Sequence, residues 1–255
     1  MGKSAQGKAI EPKYQITALN LQYTYFFILT ASVAGPLLLS FDRKVAFYKK
    51  WKYLFSAMLF PAIFFIVWDE FKTRSGVWSF SNEHIVGFKL SSLPVEEILF
   101  FFFVPYCCVF IYECVRAYFP NVIGRKWGNS TLLLMGEAFF VIAVLTWGKD
   151  YTFYTALFNA LFIGALFLFK KWFAGFDASS FLISYLITIL PFLVVNGFLT
   201  AIPVVTYNDA ENVGFRIFSF LPWPMHNIPV EDIFYGMLLV LMNVALFEKF
   251  RSKAA

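Results

Sequence analysis

Four acids in two copies of one short motif are the residues of this chain best suited to chemistry. Leu93–Phe102 reads LPVEEILFFF and Ile228–Met237 reads IPVEDIFYGM. The Pro-Val-acid-acid-Ile core recurs at an offset of 135 residues, from Pro94 to Pro229. Glu96, Glu97, Glu231 and Asp232 are therefore the candidate catalytic residues. A helix opening with Pro and acids is also ordinary, because Pro suits the first turn and the helix dipole favours negative charge there. Two features argue for more. The pair recurs, and apolar residues follow each copy at once, Ile98–Val104 and Ile233–Val240. The acids thus stand at the rim of hydrocarbon or within it, where acids are costly and usually functional.

Carboxyls in a dry pocket can do acid–base work. Burial favours the neutral form, and a neighbouring carboxylate adds to that preference. The helix terminus opposes it by roughly 0.3–2 kcal/mol. If the site is dry, burial wins, so one carboxyl keeps its proton while a second stays ionised. Adjacent helical residues point about 100° apart, so at most one of each pair faces a pocket squarely. Glu96 shares a face with Phe100 and Phe103, and Glu231 shares one with Tyr235 and Leu238. Glu96 or Glu231 is accordingly expected as the acid, with the partner carboxylate of the other copy as base. The pattern does not divide the two roles.

Other polar residues carry weaker signals. Asp69 and Glu70 close an apolar stretch at the motif side, where interfacial solvation explains them. Asn196 occupies a similar place later in the chain and calls for a partner. Trp78 and Trp223 lie in the long loops ahead of the motifs, as belt residues or as walls of the pocket. His84 and His226 lie in the same loops without metal-ligand spacing, and no metal is expected. Glu113 and Glu137 have no assigned role. Cys107, Cys108 and Cys114 read as small packing residues.

The elements that hold these residues must be membrane helices. Hydrophobic residues make up 60% of the 255 and charged residues 15%, too few to coat a soluble domain. Apolar stretches near 19–41, 51–68, 94–115, 131–148, 151–169, 178–199 and 229–247 predict about seven spans, each near the roughly 20 residues a bilayer requires. The fold class is all-α, since runs such as Ile98–Val104 lack the alternation of a barrel strand. The first span has no small-residue cleavage site and does not read as a signal peptide. A net charge of +5 needs no nucleic acid, because Lys and Arg gather in short loops as the positive-inside rule expects. The side opposite the motifs carries 13 of the 21, which predicts that the motifs face away from the cytoplasm.

The motif repeat implies a larger one. Residues 14–119 and 151–255 predict two units of three spans, joined by a linking helix within 120–150 and preceded by a polar segment, 1–13. The two motif helices lie four crossings apart and share a direction, which makes the repeat parallel. No Gly-x-Gly-x-x-Gly or Walker loop is present, the last span has no lysine for a Schiff base, and no Asp-x-x-x-Asp suggests a magnesium-dependent prenyltransferase.

The chain resembles the lycopene cyclases of the flavin-independent membrane type, known as two small subunits or as one fused chain. The resemblance rests on LPVEE at Leu93–Glu97, IPVED at Ile228–Asp232 and VNGFLT at Val195–Thr200. It extends to PVVTYN at Pro203–Asn208 and Tyr235-Gly236. It covers about Tyr23 to Phe247. It implies acid–base cyclisation of linear lycopene ends to β-ionone rings, without net redox change or cofactor, in a multi-pass protein of the bacterial cell membrane. The implied partners are lycopene or a related carotenoid and membrane lipid. Carried over, the four acids are catalytic, and Phe100, Phe103, Tyr235, Asn196, Trp78 and Trp223 are the expected substrate-binding residues. A proton-coupled transporter is the alternative class, since intramembrane acids in a parallel repeat suit it too; it requires a path to both faces. A carotenoid-binding scaffold without catalysis is a third.

Overall fold

The structure, a computed structural model, describes residues 21–216, 219–220 and 223–253. The expected polar segment 1–13, and residues 14–20 with the start of the first expected span, lie outside the described residues. Seven helices make up the described chain: α1 (Thr24–Leu39), α2 (Trp51–Arg74), α3 (Val95–Tyr118), α4 (Lys126–Leu145), α5 (Asp150–Leu168), α6 (Ala178–Ala201) and α7 (Val230–Ser252). Six are long and apolar enough to cross a bilayer, and α1 is a shorter apolar helix of 16 residues. The protein is thus a multi-pass, all-α membrane protein. Helices satisfy every backbone amide internally, as hydrocarbon demands.

Local causes set several boundaries. α3 and α7 start after Pro94 and Pro229, which sit at the N-cap in extended conformation (φ −65° and −62°). Their acids therefore fall on the first turn. α2 runs past the expected end to Arg74 because its last turn is packed: Asp69 and Lys72 are buried, and Lys72 pairs with Asp150 at 2.7 Å. α4 begins earlier than expected because Gly128 lets it press against the start of α6, where any Cβ would overlap the Ser179 backbone.

Short strands occur in the loops on the motif side, where a periodic pattern had no room to show. β1 (Trp78–Phe80) pairs antiparallel with β4 (Val205–Tyr207), and β2 (Lys89–Leu90) pairs with β3 (Leu93–Pro94).

Contacts recur between the two halves at nearly constant offset. Tyr25 donates its hydroxyl to Glu97, and Tyr151 to Asp232. The Val86 amide donates to Glu96, and the Val213 amide to Glu231. Tyr25 N donates to His84 O, and Tyr151 N to Glu211 O. Ser79 and Thr206 face each other in the β1–β4 register with hydroxyls 2.8 Å apart. We infer from this recurrence that the described parts of 14–119 and 151–255 are two copies of one unit about a pseudo-twofold axis, with α4 as the link.

The same relation organises the opposite face. Arg251 donates to Glu113 at 2.8 Å, and Arg116 lies 3.6 Å from Glu248. Lys50 also pairs with Glu113, while Tyr112 and Arg251 donate to Glu248. Both glutamates are about 2% exposed or less. Reciprocal ion pairs thus clasp the ends of α3 and α7.

Candidate active site

A cavity of about 240 Å³ lies among α1, α3, α6 and α7. Its walls are hydrocarbon and aromatic: Phe100, Val104 and Ile111 from α3, Ile189 and Phe192 from α6, Leu239 and Val240 from α7. The strands β1 and β4 cover its motif end with Trp78, Phe80, Val205 and Tyr207. Glu97 and Ile111 both line it, and 14 residues of helix span about 21 Å. The cavity is therefore a narrow slot running along the membrane depth.

Three carboxyls stand at its motif end: Asp69, Glu97 and Asp232. The first two lie near enough to interact directly. Tyr235 donates to Asp69 at 2.6 Å and Tyr25 to Glu97 at 2.5 Å. Asp232 is held by other groups. It accepts instead from Tyr151 at 2.6 Å, Asn196 at 2.5 Å and Tyr207 at 2.9 Å. Among the described residues, no Lys, Arg or His lines the cavity. All three acids are at most 7% exposed.

The four motif acids separate into two kinds of position. Glu97 and Asp232 line the cavity; Glu96 and Glu231 do not. Glu96 Oε1 accepts the Val86 amide at 2.6 Å, and Glu231 Oε1 accepts the Val213 amide at 3.0 Å and the Thr152 hydroxyl at 2.6 Å. These two glutamates fasten the loops to the helix starts. The remaining oxygen of each is buried and has no partner among the described residues. The expectation that Glu96 or Glu231 faces the pocket fails on helix rotation. The first turns of α3 and α7 aim their third residues, not their second, between the helices.

Among the expected wall residues, Phe100, Tyr235, Asn196 and Trp78 line the cavity. Phe103 does not; it packs beside Tyr25 and Leu29. Trp223 is 61% exposed and stacks edge-on against Phe198, outside the cavity. Sequence reading missed Tyr25 and Tyr151, which carry no motif, gave Tyr207 no role although it lies in PVVTYN, and left Asp69 as a solvated interfacial residue although it is 2% exposed. Glu113 takes its place in the clasp at the far face. Its signal was present: Glu113 and Arg116 recur as Glu248 and Arg251 at the 135-residue offset of the acidic motif.

Buried carboxyls and tyrosines thus stand at one end of a largely apolar slot in a multi-pass membrane protein. Comparison with known proteins gives the family: the lycopene cyclase family model matches residues 22–115 and 148–250, and the chain belongs to that family. A bifunctional lycopene cyclase/phytoene synthase of Pyrenophora tritici-repentis is 30% identical over 90 residues, 32% of this chain and 15% of the relative. Another of that name, from Aspergillus niger, is 33% identical over 54 residues, 19% of this chain and 9% of the relative. The aligned parts are thus a small share of these two fungal proteins. No solved structure matches the chain.

Proposed function

We propose that the protein is a lycopene β-cyclase, converting linear carotenoid ends to β-ionone rings by proton transfer alone. The observation that carries this reading is the convergence of Asp69, Glu97 and Asp232 on one end of a largely apolar slot. An unactivated alkene accepts a proton only from an acid held in a dry place, and water there would capture the resulting cation.

The roles follow from the hydrogen bonds. Asp69 and Glu97, side by side, cannot both carry charge, so the pair holds a proton. One of them delivers it to the terminal double bond of the bound chain. The cation is attacked by the neighbouring double bond, which closes the six-membered ring and moves the charge onto a ring carbon. Asp232, whose charge three donors stabilise, removes the adjacent proton to leave the ring double bond. One proton enters and one leaves, so the product is an isomer and no redox partner is consumed. Phe100, Trp78 and Tyr235 offer ring faces that steady the cation by roughly 0.5–2 kcal/mol each. The proton on Asp232 then returns to the Asp69–Glu97 pair within the same cluster.

Expression in cells that accumulate lycopene tests the reading. Cyclic carotenoids are expected in the extracted pigments. Unchanged lycopene, with the protein folded in the membrane, overturns it.

A further inference from the structure

A second motif recurs in the loops ahead of the acidic one. Val86–Lys89 reads VGFK and Val213–Arg216 reads VGFR, at an offset of 127 residues. Both copies use their backbone in the same way. The valine amides bind Glu96 and Glu231. Gly87 and Gly214 then turn the chain at positive φ, 93° and 70°, which glycine adopts without steric penalty. The Phe88 carbonyl accepts from the Val95 amide at 3.0 Å, and the Phe215 carbonyl from the Val230 amide at 3.1 Å. With its carbonyl turned inward, each phenylalanine leaves its ring outside. Phe88 is 67% exposed and Phe215 57%, and both valines are exposed beside them.

The backbone bonds ask for no particular side chain at 88 or 215. Water disfavours an apolar ring, yet each half presents one and follows it with a cation. Lys89 donates to the neutral side chain of Asn82, and Arg216 pairs with the exposed Asp209. A ring beside a long cation suits a membrane surface, where the ring lies among the upper acyl chains and the cation reaches the headgroups. The position agrees. Both loops bond to the first turns of α3 and α7, where two of the membrane-length helices begin. A pseudo-twofold axis along the membrane normal holds the two loops at one depth. A protein partner would have to offer two equivalent docking faces, whereas a flat leaflet meets both rings at once.

We propose that Phe88 and Phe215 are twin anchors that dip into the phospholipid leaflet on the motif side. Neither the two residues nor their partner depends on the cyclase reading. Each loop is then held twice, by a motif glutamate from within and by lipid from without. The leaflet thereby bears on the helix starts that carry the acids.

The full-length protein in phospholipid nanodiscs, with trifluoromethylphenylalanine in place of Phe88 or Phe215, gives one fluorine signal per molecule. The same residue in place of Glu83 or Ala210, exposed positions equivalent to each other in the same two loops, supplies the aqueous reference. A nitroxide on the upper acyl chain should broaden the signals at 88 and 215 several-fold more than those at 83 and 210. A water-soluble gadolinium chelate should do the reverse. Chelate broadening at 88 or 215 that equals the reference overturns the proposal. Protection of either position from both agents also overturns it, because the ring is then packed against a second copy of the chain and not against lipid.

Discussion

Asp69 in α2 and Asn196 in α6 occupy equivalent places, and each reaches the second acid of the motif in its own half. Asp69 lies beside Glu97, whereas Asn196 donates its amide to Asp232 at 2.5 Å. One exchange of carboxyl for amide makes two otherwise similar sites chemically unequal. On the proposed reading, the half with two carboxyls carries the proton and the half with the amide carries the charge.

Asp69→Asn should therefore erase the difference and the activity with it. General acid catalysis is worth about 10²–10⁴-fold, and cyclised product per folded molecule should fall by that order. Asn196→Leu removes one of three donors to Asp232 and should cost roughly tenfold, about 1.5 kcal/mol. Initial rates in isolated membranes, normalised to folded protein, separate the two.

The neighbouring glutamates of one motif should give opposite phenotypes. Glu97→Gln is expected to keep the fold and lose turnover by about 10²-fold or more. Glu96→Ala leaves the Val86 amide without its acceptor, which costs about 1–3 kcal/mol of stability. Its melting temperature in detergent should drop, while turnover per folded molecule stays within a few-fold of wild type. Reversal of this pattern would remove the assignment of the two positions.

The clasp at the far face should matter for stability and not for chemistry. Arg251 serves both Glu113 and Glu248 and is about a quarter exposed. Arg251→Met should destabilise by about 1.5–3 kcal/mol, the worth of a hydrogen bond to a charged group. Removing Glu113 as well should then cost only its remaining pair with Lys50, less than the two single losses summed. A double-mutant cycle in chemical denaturation reads the coupling directly.

Acid should loosen the start of α6. Partial burial works against the Asp177 charge, but hydrogen bonds from Ser180, Gly124 and Ser179 outweigh it and hold this carboxyl below its ordinary value. A depressed folded-state value gives stability that is complete above the unfolded value, about 3.9. That stability is lost as pH falls through the folded value. The stability gap between wild type and Asp177→Asn should accordingly be constant near neutrality and shrink below about pH 4.

The membrane helices and the doubled acidic motif were legible because both are matters of local composition and spacing. Hydrocarbon length fixes the apolar runs, and Pro before two acids marks the starts of α3 and α7. Which acid of each pair turns inward was not legible. A rotation of 100° exchanges Glu96 for Glu97, and that rotation is fixed by packing between helices that no local pattern records. Tyr25, Tyr151 and Tyr207 escaped for the same reason, since each reaches its carboxylate from 25 to 81 residues away in sequence. The recurrence of Glu113 and Arg116 as Glu248 and Arg251 was legible at the same 135-residue offset, because it lies within the motif helices themselves.

The pairing of β1 with β4 has a consequence for traffic. It straps a hydrogen-bonded cover over the polar end of the slot, and the ion clasp fastens the other end of the bundle. Pro191, on the slot's flank, is exposed. A greasy molecule arriving from the surrounding lipid would thus enter and depart sideways, and neither reactant nor product would have to be lifted into water.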